Sequence, residues 1–182
     1  DWSAAAEHFR RGADLEPGNP SLRQRLGTAL YMMGDAQGAE RELRHALTLS
    51  PTHPQSHFSL GVMLETSGQP REALDHYAAA VRHDPSYVEA RLRLAALLRL
   101  QGEVDASRAE FERVVAIAPR SPEAIFGYAM SLVALGLYRE ARPRLEQGYE
   151  TFGGQVDFAN ALARLLAAAP DAPVRDGRKA LA

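Results

Sequence analysis

The sequence predicts an all-α fold, a solenoid of stacked helix pairs, and three observations carry the prediction. Pro17, Pro51, Pro85 and Pro119 stand 34 residues apart. Apolar and small columns keep the same spacing: Leu26, Leu60, Leu94, Tyr128 and Leu162, each followed by Gly27, Gly61, Ala95, Ala129 and Ala163. Within one period the apolar positions follow helical and not strand spacing, and no stretch alternates as a strand would. A unit of this size cannot bury both its faces, so its neighbours must complete the core.

The elements follow in order. A lone helix is expected from Trp2 to Leu15, with residues 1–19 as the second half of a repeat. Full repeats follow at 20–53, 54–87, 88–121 and 122–155, and 156–182 form a partial repeat. Within the second full repeat, Leu60, Gly61 and Leu64 mark one face of the first helix. Gly68 stops that helix because it tolerates positive φ. Pro70 suits the first turn of the next helix, whose inner face is Ala73, Tyr77, Ala80 and Val81. Gly61 opposite Ala73 and Ala80 is expected to let two helix backbones approach. Gly34, Gly102 and Gly136 mark the same turn in the other repeats, and Gly153–Gly154 reads as a helix end. Pro143 falls inside a predicted helix and removes one backbone donor, which predicts a local kink. Pro170, Asp171, Ala172 and Pro173 interrupt the period, and Arg175–Ala182 reads as the start of a displaced helix. The chain begins and ends within repeats, which reads as part of a longer array or protein.

These residues resemble the tetratricopeptide repeat (TPR): W-x2-L-G-x2-Y, then A-x3-F, then P. Ala5, Ala39, Ala73, Ser107 and Ala141 occupy the Ala column, and Phe9, Leu43, Tyr77, Phe111 and Leu145 the Phe column. The departures are a Trp column reading Arg23, His57, Arg91, Ile125 and Ala159, a Tyr column that is Leu throughout, and Gly153 for the fifth Pro. The resemblance implies a right-handed α-α superhelix whose first helices line a concave groove.

Composition removes several functions. The 182 residues include no Cys, which excludes disulfides, thiolate metal sites and a Cys nucleophile. Of 21 basic residues only Lys179 is a lysine, so neither a P-loop nor a Schiff-base lysine can sit in the body of the chain. A net charge of −2 without a basic run argues against nucleic-acid binding, and no apolar run spans a membrane. Arg in place of Lys, with abundant Ala, Gly and Pro, suggests a GC-rich, bacterial source; the compartment stays open between cytoplasm and exported. No cofactor is implied. His53 and His57 are four apart, but no H-E-x-x-H motif accompanies them and His53 precedes its helix. They read as partly exposed side chains at a repeat junction, and His76 and His83 as surface residues. No nucleophile elbow or phosphate loop appears, so the segment reads as non-enzymatic.

The informative feature is a second stripe on each first helix, two residues before and after the Leu/Tyr column. It reads Gln24/Thr28, Phe58/Val62, Leu92/Ala96, Phe126/Met130 and Asn160/Arg164. It is apolar in the three central repeats, and a helix with two apolar faces needs two partners. In the groove that the resemblance implies, these residues bind a partner segment, with Glu65, Glu89, Arg93 and Arg99 along the rim. A Lys/Asn/Arg carboxylate clamp of the kind some TPR proteins use is absent, since its positions read Gln24, Thr28, Phe58 and Val62 with Arg25 and Ser59 beside them. Two other fates of the stripe stay open: neighbouring first helices cover it, Val62 and Ala96 above all, or another copy of the chain fills it. The leading expectation is a protein-interaction scaffold that takes a protein or peptide segment. The alternative is a positioning module in a larger multidomain enzyme or exported assembly, self-associating through its array ends.

Overall fold

The first helices of the four full repeats end in the same backbone device. Gly34, Gly68, Gly102 and Gly136 have φ between +74° and +88°, the left-handed region that only glycine enters without steric cost. After Gly68 the chain closes a Schellman turn, in which Gln69 N–H donates to Leu64 carbonyl (2.9 Å) and Gly68 N–H to Glu65 carbonyl (3.2 Å). Asp35, Glu103 and Leu137 donate in the same way to Leu30, Leu98 and Leu132. One leucine column thus supplies both a core side chain and the carbonyl that stops the helix.

The computed structural model describes residues 1–153, 155–170 and 174. Among them it contains ten helices and no strand: α1 (Trp2–Leu15), α2 (Pro20–Met32), α3 (Ala36–Leu49), α4 (Pro54–Thr66), α5 (Pro70–His83), α6 (Val88–Leu100), α7 (Val104–Ile117), α8 (Pro122–Ala134), α9 (Tyr138–Thr151) and α10 (Val156–Ala168). First helices start every 34 residues from Pro20 to Val156. Proline opens α2, α4 and α8, where its missing N–H is no loss. Asn19, His53 and Ser121 cap those helices by accepting backbone N–H groups. Helix α9 continues through Pro143 to Thr151. The displaced helix expected at Arg175–Ala182 lies outside the described residues, as do Gly154 and Asp171–Pro173.

The chain divides into two compact units, Asp1–Ala90 and Arg91–Ala182. In the first, α1 to α5 stack in sequence, and α2 also meets α4, so first helices of successive repeats are neighbours. Its core includes Leu26, Leu43, Leu60, Leu64 and Tyr77. In the second, α7 to α10 stack in sequence. Ala95, Phe111, Tyr128, Leu132 and Ala141 form one core cluster there. Ile125, Leu145, Phe158, Leu162, Leu166 and Val174 belong to another.

Small residues in this packing make room for rings. A Cβ on Gly61 would lie 2.7 Å from Cε1 of Tyr77. The space above Gly61 therefore holds an aromatic side chain, where Ala73 and Ala80 were expected to face it. At the other end of the chain, a Cβ on Gly148 would lie 2.0 Å from Cε1 of Phe158. Phe158 is 0% exposed and touches Phe126 edge-on (5.3 Å) and Phe152 stacked (5.9 Å), so it cannot step aside.

Gly148→Ala should therefore destabilise the protein by about 1–3 kcal/mol, the usual cost of overpacking. In a Phe158→Leu background the same change should be neutral or stabilising, because alanine is favoured over glycine in a helix by about 1 kcal/mol. Urea unfolding of the four variants checks this; an equal effect in both backgrounds would refute the packing.

Candidate functional site

The second stripe of the first helices is half-buried in the central repeats, and its two parts have different surroundings. In the first unit Gln24 and Thr28 bond across to the next first helix. Gln24 Nε2 donates to Thr28 Oγ1 (3.0 Å) and to Ser59 Oγ (2.8 Å), and the Thr28 and Ser59 hydroxyls are 3.3 Å apart. Tyr31 Oη and Thr66 Oγ1, at 2.5 Å, repeat the link one turn on. Phe58 lies against Tyr77 (5.8 Å) and Tyr87 (5.0 Å), and Val62 is half-buried beside them in sequence. Burial first, then the Glu89 and Asp84 carboxylates, push the Tyr87 phenol up to about 12, so it remains a neutral hydroxyl at physiological pH. Glu65 accepts a hydrogen bond from Tyr77 Oη (2.6 Å) and braces its own repeat.

In the second unit the stripe lines two adjoining hollows. One, about 450 Å³, is bounded by Phe126, Met130, Val133, Tyr138, Ala161 and Leu165, with Asp157, Asn160 and Arg164 as its exposed polar edge. The other, about 690 Å³, is bounded by Leu92, Ala96, Phe111, Phe126 and Met130, with Arg93, Arg99, Glu123 and Asp157. Phe126, Met130 and Asp157 line both. Leu92, Arg93, Ala96, Arg99, Phe126, Met130, Asn160 and Arg164, all eight stripe and rim residues predicted for this part of the chain, thus meet on these hollows. Phe126 gives one edge to Phe158 and is half-buried. Pockets of this size with apolar walls and a few polar groups suit bound side chains.

Two contributors were missed in the sequence. Asp157 shares a 34-residue column with Glu89 and Glu123, so the acidic edge was legible from Glu89 onward. Phe158 shares a column with Leu22, and each stands opposite a glycine, Gly148 and Gly12. Reading the two columns together would have found this pairing.

The Trp column also holds more than bulk. Arg23 pairs with Glu42 (3.1 Å), and Arg91 with Glu110 (2.5 Å), which Arg113 also contacts. His57 Nδ1 lies 3.0 Å from His76 Nδ1 at the equivalent place. In three repeats a polar pair 19 residues apart therefore ties the first helix to the second. His76 is half-buried in that contact and is not a plain surface residue. His53 and His57 have different partners: Ser21 and Ser56 for His53, Pro51 and His76 for His57. Among the described residues no group of three His, Asp or Glu converges to hold a metal, and no helix is long and apolar enough to cross a membrane.

Comparison with known proteins matches residues 1–58, 64–125 and 98–165 to the family "Tetratricopeptide repeat". No curated protein matches. Among solved structures, MamA is 20% identical with a TM-score of 0.72, covering 84% of this chain and 90% of that one. YrrB, described as a TPR protein with an unusual peptide-binding site, is 18% identical with a TM-score of 0.72, covering 88% and 82%. A tetratricopeptide repeat protein from Parabacteroides merdae is 19% identical with a TM-score of 0.73, covering 90% and 65%. At these identities the likeness is one of fold.

The polar ties make a measurable demand. Arg91 is only 7% exposed, so Arg91→Met should cost about 1–3 kcal/mol by leaving Glu110 poorly matched in a buried setting. Adding Glu110→Leu should recover most of the loss, since a buried ion pair is replaceable as a whole. Thermal unfolding of the single and double variants checks both; a double variant less stable than the single would contradict the tie.

Proposed function

We propose that this chain, which belongs to the tetratricopeptide repeat family, is a non-enzymatic protein-interaction scaffold whose second unit takes an apolar segment of a partner protein. The observation that supports this is the convergence of the unspent helix stripe on two adjoining hollows that share Phe126 and Met130. Stacking has already used the Leu and small-residue face; Phe126 and Leu92 lend the core one edge, and the rest of the stripe faces the hollows. Met130 suits such a surface because its flexible thioether adapts to different contacts. Polar side chains of both signs flank the apolar walls: Arg93, Arg99 and Arg164 against Glu123 and Asp157. The matching ligand is a peptide with bulky apolar anchors and mixed charges between them, held as buried anchors with a polar rim. A peptide-binding site in YrrB, a protein of the same fold, agrees with this reading.

The test is selection from a displayed peptide library against the full chain. Peptides with two or more bulky apolar residues are expected. Their affinity should fall about tenfold or more on Met130→Glu or Asn160→Trp, as for residues central to an interface. Both positions are half-buried or exposed, so circular dichroism should be unchanged. Unaltered affinity in both folded variants would overturn the proposal.

A further inference from the structure

The repeat at 54–87 departs from those beside it in how its two helices are joined. Where its neighbours use Arg23–Glu42 and Arg91–Glu110, it uses two imidazoles, with Nδ1 atoms 3.0 Å apart. Such a contact needs one proton between two nitrogens. His57 Nε2 lies 2.9 Å from the Pro51 carbonyl, which can only accept, so the proton of neutral His57 sits on Nε2. Its Nδ1 is then a lone pair, and His76 Nδ1–H donates to it. One added proton can still be shared if His76 changes tautomer, but once both imidazoles are cationic N–H faces N–H across 3.0 Å.

His53 carries the same requirement at the start of α4. Ser56 N–H donates to His53 Nδ1 (3.2 Å), and the Ser21 hydroxyl lies 3.1 Å from Nε2. Asn19 and Ser121 provide this cap for α2 and α8 with acceptors that do not titrate near neutrality; His53 provides it only while Nδ1 is unprotonated. The surroundings resist added charge. His83 stacks on His57 at 6.0 Å, Arg82 of α5 lies near His57, and Arg44 of α3 lies near His76. Asp75 and Glu72 of α5 oppose them at His76, and from α2 the cluster meets the neutral Ser21 hydroxyl. Burial is the largest effect on all three imidazoles and holds His53, His57 and His76 below the ordinary value of 6.5. A metal ion is the poorer occupant of the His57–His76 gap, because no third ligand converges on it among the described residues and two arginines stand near.

We propose that His53, His57 and His76 form a proton-sensitive latch, which joins α4 to α5 and caps α4 while neutral and releases this helix pair on acidification. The sign follows from linkage. Below 6.5 the opened chain binds more protons at these sites than the closed one. The latch is therefore at full strength above 6.5 and weakens as pH falls below it toward the lowered values of the closed state.

Amide hydrogen exchange on the full chain at pH 7.5 and pH 5.5 tests this, read as protection factors. Protection in α4 and α5 should fall about tenfold or more beyond any change in α8 and α9. The variant His53→Ser, His57→Arg, His76→Glu installs the cap and ion pair of the other repeats and should abolish that selective loss. His53→Ser alone keeps a cap that does not titrate and should remove part of it. A uniform change across all helices, or a selective loss that persists unaltered in both variants, would overturn the latch.

Discussion

Two helices can pack closely only where one presents little and the other presents much, and the rest of this structure depends on that constraint. The 34-residue period enforces it repeatedly. Tyr77 lies over Gly61, and Phe158 over Gly148 at a distance that leaves no room for a single methyl group. Because interiors are packed to crystal-like density, such contacts determine which helix faces are used up. The left-handed glycines and Schellman turns then set where α2, α4, α6 and α8 stop, so that the helix after each presents the correct face.

Once that packing is satisfied, what remains on the first helices is put to different uses. In the first unit, Gln24, Thr28 and Ser59 spend the stripe on hydrogen bonds between successive first helices. In the second, Leu92, Ala96, Phe126 and Met130 are left lining hollows. One turn before the Leu and small columns, on the same side of the first helix, polar pairs tie the two helices of a repeat, with an ion pair at Arg23–Glu42 and Arg91–Glu110 and an imidazole pair at His57–His76. The third has a proton count that ordinary changes of pH can alter.

Helices, turns and the stripe were legible in the sequence because each is a property of one column or one local motif. Gly68 signals a stop wherever it stands, and Phe58 or Phe126 is conspicuous at its register position. The polar ties were not legible in that way. Arg23 and Glu42 belong to different columns, and neither carries meaning until the two helices are brought side by side. The same is true of Phe158, whose size makes sense only against Gly148, and of His76, whose partner lies on another helix. The order of these features in the sequence was visible; their adjacency is a product of stacking. The helix expected at Arg175–Ala182 lies outside the described residues.

On the reading proposed above, a partner segment sits on the stripe left over from stacking. Methyl NMR of the chain titrated with a library-selected peptide tests it most directly. The perturbed methyl groups should center on Met130, Ala96, Ala161 and Leu92, which line the two hollows. Perturbation centered on the second helices α7 and α9, with those four methyls unchanged, would contradict it.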